Sequence, residues 1–349
     1  MVNKITKNGI TFIIPCYNPS IEDLEKCLES LSLQVSCEDK ILIVNDGSDN
    51  EDIIKRIAKQ HKNTSLINIK INSGVSNARN QAIKIAKTRW LTFVDSDDFI
   101  LPNTLKRIRE QLAKNSQTDI LVCSIRWQKA DKTIEFPLLG KDDTIDSLKN
   151  DVISSVGKHP RSIGIAVGKF YRTQFLQNNG ISFVKNISRA EDNIFFLDIL
   201  SLNPSMTVSP IVFYCINDNP NSATHKFSEN VWCEFSKTLD AFARHMKKNQ
   251  SNNNALMIRR GKYVLISSMN EFRVENPNSY ALRKKKVRKL LESEENKSAL
   301  KKYRDTKKSV AKRFVITMLI KQKIGLASIV FMIRNKKQFT NSNIGTRNE

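Results

Sequence analysis

Asp95, Asp97 and Asp98 place three carboxylates within four positions, immediately after an apolar run, 90–94, that reads as a strand. Such a cluster repels itself unless a cation offsets it. The carboxyl end of a strand is where open α/β sheets keep their ligands. Hard oxygen donors suit Mg2+ or Mn2+, and those ions usually share their coordination with phosphate. A plainer reading also fits: Asp-Ser-Asp-Asp can be a solvated turn capping a helix near Leu101. A second acidic pair, Glu191 and Asp192, stands just before the apolar stretch 193–202, where first-turn acids are stabilised in any helix.

The elements that must position these groups follow from periodicity. Short apolar or β-branched runs at 10–15, 41–45, 65–71 and 90–94 alternate with helical patterns at 21–34, 51–61, 75–87 and 103–114. That βαβα series predicts an α/β fold, a mostly parallel sheet with helices on both faces. Ile21, Leu24, Cys27, Leu28 and Leu31 mark one face of the first helix, so it packs on the sheet. After residue 119 the expected order is a strand (120–126), a polar stretch to Asp151, a helix (164–177), a helix (193–202) and a strand (207–216). Beyond residue 226 the sequence reads as almost wholly helical, with 249–254 as a linker. The expected division is a catalytic domain at 1–226 and a helical, basic region at 227–349. Within the catalytic domain, 1–118 serves the nucleotide sugar and 119–226 the acceptor side.

Four blocks in order carry a resemblance: FIIPCYN at 12–18, IVNDGS at 43–48, GVSNARN at 74–80 with DSDD at 95–98, and Glu191-Asp192. Together they resemble the family-two glycosyltransferases, nucleotide-sugar-dependent enzymes with the GT-A fold, over about residues 10–226. Segments 168–172 and 180–183 also match what precedes the Glu-Asp pair in similar enzymes. The resemblance implies a donor site built from Pro15, Tyr17, Asp46, Asn77, Arg79, Asp95 and Ser96, with Tyr17 packing on the nucleotide base. A carboxylate at Asp46 can accept the imide N–H of a uracil. Its alternative is a helix-capping Asn-Asp-Gly-Ser turn, which fits the local chemistry equally well. The helix opened by Gly74 can turn backbone amides toward a diphosphate, with Arg79 adding a charge-assisted contact. Asp97 is implied as the ligand of Mn2+ or Mg2+, and Asp95 as holding the donor's ribose or sugar, directly or through the ion. Asp98 supports the loop. Asp192, with Glu191 beside it, is implied as the catalytic base of an inverting transfer from a nucleoside-diphosphate sugar, UDP-linked, to a glycan or glycolipid hydroxyl. Residues 217–227, NDNPNSATHKF, read as a loop or as a lid in which His225 joins the metal and Lys226 touches phosphate.

Composition limits the rest. The 349-residue chain is 40% hydrophobic, and its six cysteines lack CxxC or His-paired spacing. Residues 1–9 are too short and polar for a signal peptide, so reducing cytosol is the expected compartment. The net charge of +22 is concentrated at the end: residues 258–349 hold 24 Lys+Arg and 7 Asp+Glu. Apolar runs at 314–320 and 324–333 are too short to span a bilayer. Flanked by Lys307, Lys308, Lys312, Arg313, Arg334, Lys336 and Lys337, they suit peripheral attachment to the anionic inner face of a membrane. A tail folded onto the catalytic domain is the alternative. Nucleic acid is not the expected partner, because the basic segments lack interleaved aromatics and any DNA- or RNA-binding signature. Nucleotidyl transfer would need a Gly-rich phosphate loop after the first strand, and PCYN at 15–18 is not one. A non-catalytic sugar-nucleotide-binding or scaffold subunit with the same fold is the remaining alternative. Oligomeric state is not readable.

Overall fold

The computed structural model describes residues 6–129, 132–140, 143–156, 163–217 and 227–333. These form two compact units, one within Met1–Lys149 and His159–Asp218, the other within Asn150–Lys158 and Asn219–Glu349.

The first unit is built on a sheet whose opening half is parallel. Strands β1 (Thr6–Cys16), β2 (Lys40–Asp46), β3 (Thr64–Ile69) and β4 (Thr88–Phe93) alternate with helices α1 (Ile21–Ser32), α2 (Glu51–Gln60) and α3 (Val75–Ile85). They pair in the order β3-β2-β1-β4, all parallel. In β1 Ile10, Phe12, Ile13 and Ile14 are wholly buried, which explains its continuous rather than alternating apolar run. Leu24, Cys27, Leu28 and Leu31 of α1 are wholly buried too, as their spacing predicts.

The sheet continues through β8 (Lys169–Arg172), β6 (Ile120–Gln128), β9 (Met206–Asn217) and the two-residue β5 (Phe99–Ile100), while β7 (Thr133–Pro137) forms a hairpin with β6. Here β8 runs antiparallel to β4 and β6, and β9 parallel to β6. Helices α4 (Leu105–Lys114), α5 (Ile145–Ser154), α6 (Thr173–Asn178) and α7 (Glu191–Ser201) complete the series to residue 217.

Three expectations need correction. The helix expected over 164–177 is strand β8 followed by the short α6. Gly168 sits at φ +74°, where a Cβ would lie 2.6 Å from Ile125 Cγ2, and the residues after it are captured by ladders to β6 and β4. The polar stretch 127–151 contains β7 and α5, and the hairpin is closed by Arg126 donating to Glu135 at 2.6 Å. The linker expected at 249–254 is the start of helix α9 (Gln250–Asn270), because the Asn249 side chain caps it by accepting from Asn252 N at 2.8 Å.

The second unit is helical: α8 (Val231–His245), α9, α10 (Tyr280–Glu292), α11 (Glu294–Asp305), α12 (Val310–Ile320) and a further helical segment at 324–333. Its core joins Val264, Leu291, Leu300, Leu319 and Phe331. Gly261 lets α9 approach α11, since a Cβ there would meet the Ala299 carbonyl oxygen at 2.2 Å.

One polar anchor registers the parallel half of the sheet. Asp39 is wholly buried, accepts from Ile10 N at 2.9 Å and from Ser36 N at 2.7 Å, and pairs with Arg109. Asp39→Ala leaves buried donors without an acceptor and should cost more than about 2 kcal/mol. Urea unfolding should show a lower midpoint at unchanged slope; an unmoved midpoint contradicts the anchor.

Candidate active site

The candidate residues lie at the carboxyl ends of β1, β2 and β4 and on the loops that follow them, on α3, and at the amino end of α7. Because β1 pairs with both β2 and β4, the loop at Pro15–Asn18 runs between those carrying Asp46 and Asp95. Pro15 is buried in the β1–β2 ladder and Tyr17 is 53% exposed. Asn18, at φ 44°, locks the first loop onto the second: its N–H donates to Ser48 Oγ at 2.8 Å and its amide pairs with Asp49.

Asp46 is 3% exposed, and its carboxylate ties the loop before α3 instead of capping the helix after its own turn, α2, whose N-cap Asn50 makes no side-chain cap bond. One carboxylate oxygen accepts from Ser73 Oγ at 2.8 Å and the other from Gly74 N at 2.6 Å. It thereby fixes the loop that opens α3, and Asn77 donates back to Ser73 Oγ at 2.7 Å. Gly47, at φ +77°, cannot carry a Cβ without meeting Asn72 N at 2.7 Å, so the two loops touch through backbone.

Arg79 is not an exposed side chain on the first turn of α3. It is 5% exposed, with Nη2 donating to Asp95 Oδ1 at 2.9 Å and Nη1 to Glu191 Oε1 at 3.1 Å. The guanidinium also lies 5.1 Å from the Phe183 ring centre and 5.8 Å from that of Phe93. Those rings belong to an aromatic cluster in which Phe183 stacks on Phe195 at 4.0 Å. Burial works against the charge of Arg79, but Asp95 and Glu191 outweigh it and hold the group more firmly protonated than usual. One side chain thus joins the two acidic clusters, reaching Glu191 across 112 positions of sequence.

The three aspartates after β4 have different environments. Asp98 is 5% exposed and fully engaged, accepting from Tyr214 Oη at 2.6 Å and from Asn217 N at 2.8 Å. The same hydroxyl accepts from Asp95 N at 3.0 Å. Asp95, Ser96 and Asp97 remain partly exposed. Burial, then the nearby charge of Asp95, pushes the Asp97 carboxyl up to about 6.

At α7, Ala190 takes a left-handed conformation at φ 59° and turns the chain so that Glu191 and Asp192 begin the helix. Burial, then Asp192, raises Glu191 to about 7 against the opposing pull of Arg79. Asp192 Oδ1 accepts from both N and Nδ2 of Asn193 at 2.8 Å.

The donor set tests for a cation directly. Among the described residues no three His, Cys, Asp or Glu side chains are grouped to hold a metal by themselves. Asp95 and Asp97 offer two carboxylates once Asp98 is taken by Tyr214 and Asn217. That fits an ion such as Mg2+ or Mn2+, held by one or two carboxylates and completed by substrate phosphate. His225 and Lys226 lie outside the described residues.

Sequence reasoning missed several positioning groups. Asn80 clamps α3 to Phe183 through two buried bonds of 2.7 and 2.8 Å. Tyr214 was hidden in an apolar strand. Lys169 was noted only inside a matching segment, although a lone lysine in an apolar β pattern was a usable signal.

With this geometry in hand, comparison with known proteins is informative. The profile of glycosyl transferase family 2 matches residues 11–179. That segment is similar to the family. The uncharacterized glycosyltransferase EpsJ of Bacillus subtilis is 28% identical over 225 residues, covering 62% of each chain. The match therefore spans less than two thirds of that relative's length. The structure of S. aureus TarS 1-349 in complex with UDP-GlcNAc superposes at a TM-score of 0.58 and 19% identity, over 95% of this chain and 92% of that one. The mannosyltransferase PcManGT of Pyrobaculum calidifontis, in complex with GDP-Man and Mn2+, superposes at 0.50 with 15% identity, over 94% and 88%. At these identities the likeness establishes the fold, which is GT-A.

Tyr214→Phe removes one donor from buried Asp98 and the acceptor of Asp95 N. It should cost about 1–3 kcal/mol. Equilibrium denaturation reads this loss; a variant as stable as the parent shows that the hydroxyl does not hold the aspartate loop.

Proposed function

We propose that the chain is an inverting glycosyltransferase that moves a sugar from a nucleoside-diphosphate sugar, UDP-linked, to a hydroxyl of a lipid-linked or surface-polysaccharide acceptor. The observation that carries this reading is the Arg79 guanidinium, which joins Asp95 and Glu191 and so gathers the two acidic clusters at one place. A fold shared with structures holding UDP-GlcNAc or GDP-Man supports the donor class.

In this reading Asp97 holds Mn2+ or Mg2+, and Asp95, fixed by Arg79, contacts the donor's ribose or sugar. When bound, the cation offsets charge on the departing diphosphate. Pro15, Tyr17 and Ser96 line the donor side. Asp46 serves through the loop it ties, which presents α3 and Asn77. Asp192 takes the proton from the acceptor hydroxyl through its second oxygen. The acceptor oxygen then attacks the anomeric carbon opposite the leaving group, and the anomeric configuration inverts.

Two substitutions separate the roles. Asp97→Ala should abolish transfer together with metal-dependent donor binding. Asp192→Asn should lower turnover by about 10²–10⁴-fold while leaving donor affinity intact. Near-normal turnover in either variant removes that assignment. A parent protein that binds donor but neither transfers nor hydrolyses it is the non-catalytic subunit instead.

The second unit supports placement at a membrane surface. No helix among the described residues is long and apolar enough to cross a bilayer. Yet α12 and the segment 324–333, with Ile316, Leu319, Ile324 and Phe331 in the core, also expose Val310 (81%), Phe314 (63%), Ile329 (49%) and Ile333 (56%). Exposed Lys308, Lys312, Arg313, Lys321 and Lys323 stand among them. Arg334, Lys336 and Lys337 lie outside the described residues. Apolar groups ringed by lysine and arginine fit an anionic bilayer, at about 1 kcal/mol per basic residue near the surface. This supports peripheral attachment at the inner face of the cell membrane. The protein should float with phosphatidylglycerol vesicles and not with phosphatidylcholine vesicles, and Phe314→Glu with Ile329→Glu should abolish flotation. Equal recovery on both lipids, or none, contradicts it.

A further inference from the structure

Lys169 is a wholly buried lysine that the proposed reaction leaves unused. Its ammonium donates to the Ile165 carbonyl at 2.6 Å and reaches the Val167 carbonyl at 3.5 Å, so residues 165–168 wrap around it. Gly168, at φ +74°, makes that wrap possible, and Tyr171 Oη ties the same loop by donating to the Ala166 carbonyl at 2.9 Å. No salt bridge to Lys169 is present among the described residues.

Two contacts connect this loop to the amino end of α7. Gly164 lies so close to Asn193 that a Cβ would meet Asn193 Cγ at 3.0 Å. The Lys169 ammonium stands 4.9 Å from the Phe196 ring centre. Phe196 is four residues beyond Asp192, hence on the same face of the helix. Asn193 in turn gives both of its N–H groups to Asp192 Oδ1 at 2.8 Å. A buried ammonium with carbonyl partners and no carboxylate partner is a costly arrangement.

We propose that Lys169 and Asn193 are positioning residues for Asp192. Lys169 gathers the Ile165 and Val167 carbonyls beside Gly164, which abuts Asn193, and places its ammonium under the α7 face that bears Asp192. Asn193 occupies Oδ1, so the other oxygen is the one turned to the acceptor hydroxyl. The charged and titratable groups around Asp192 are Glu191 on its own helix, Arg79 on α3, and Lys169 and Tyr171 on β8. Of these, Lys169 and Arg79 are the cations, and Arg79 is already bound to Asp95 and Glu191. Burial brings Lys169 down to about 7, with Asp192 pulling the other way, so the charge that β8 contributes depends on its neighbour across α7.

The inference rests on Asp192 as the base, and the experiment keeps the two apart. The full chain is assayed with its donor and acceptor as the parent, Lys169→Met, Lys169→Arg, Asn193→Ser and Asp192→Asn. Lys169→Met and Asn193→Ser should lower kcat about tenfold at neutral pH with donor KM unchanged. Lys169→Arg should recover part of the loss. Asn193→Ser keeps the test open if Lys169→Met does not fold. Normal kcat in Asn193→Ser, with Asp192→Asn inactive, overturns this inference alone. Full activity of Asp192→Asn overturns the reading beneath it. Donor KM rising in step with the fall in kcat assigns both residues to the general fold and also overturns the inference.

Discussion

A buried guanidinium needs partners, and Arg79 finds them in two carboxylates from distant parts of the chain. The pair is more than a local contact. Arg79 sits on α3, Asp95 follows β4 and Glu191 begins α7, so one side chain registers three elements around a common point. Removing either acid would leave a charge with little water around it, which is far more costly than losing a surface ion pair. The aromatic rings of Phe93 and Phe183 close the other side of the guanidinium and keep the geometry dry.

That bridge does not neutralise its surroundings. Burial first, and then the charge of a neighbouring carboxylate, Asp95 or Asp192, raises Asp97 to about 6 and Glu191 to about 7. Protonation relieves the excess when nothing else is bound. A divalent ion arriving with a diphosphate can relieve it equally well at Asp97, without disturbing the acids held by Arg79 and Asn193. In the proposed reading, a donor side short of positive charge is thereby separated from a base side that is already oriented.

The parallel half of the sheet was legible because β1, β2 and β4 are covered on both faces and read as unbroken apolar runs. The Asp-x-Asp and Glu-Asp pairs were legible through their order along the chain. What lay beyond reading was pairing at a distance. Nothing local distinguishes Asp98, consumed by Tyr214 and Asn217, from Asp97, which is left facing solvent. Nothing local shows that Arg79 turns inward to Glu191. The segment 164–177 reads as helix, and only ladders to β4 and β6 make Lys169–Arg172 extended. The run 249–254 reads as a linker because asparagines are weak helix formers, whereas the Asn249 side-chain cap is enough to start α9.

The most direct test of the account is ligand-dependent thermal stability across a panel of UDP-, GDP- and dTDP-sugars, each with and without Mn2+. A ligand that binds only the folded protein stabilises it by about 2.7 kcal/mol at a hundredfold excess over its Kd. The account predicts a shift for a UDP-sugar that requires the ion. A donor that stabilises the protein equally well without any divalent cation, or a panel with no stabilising member, would contradict it.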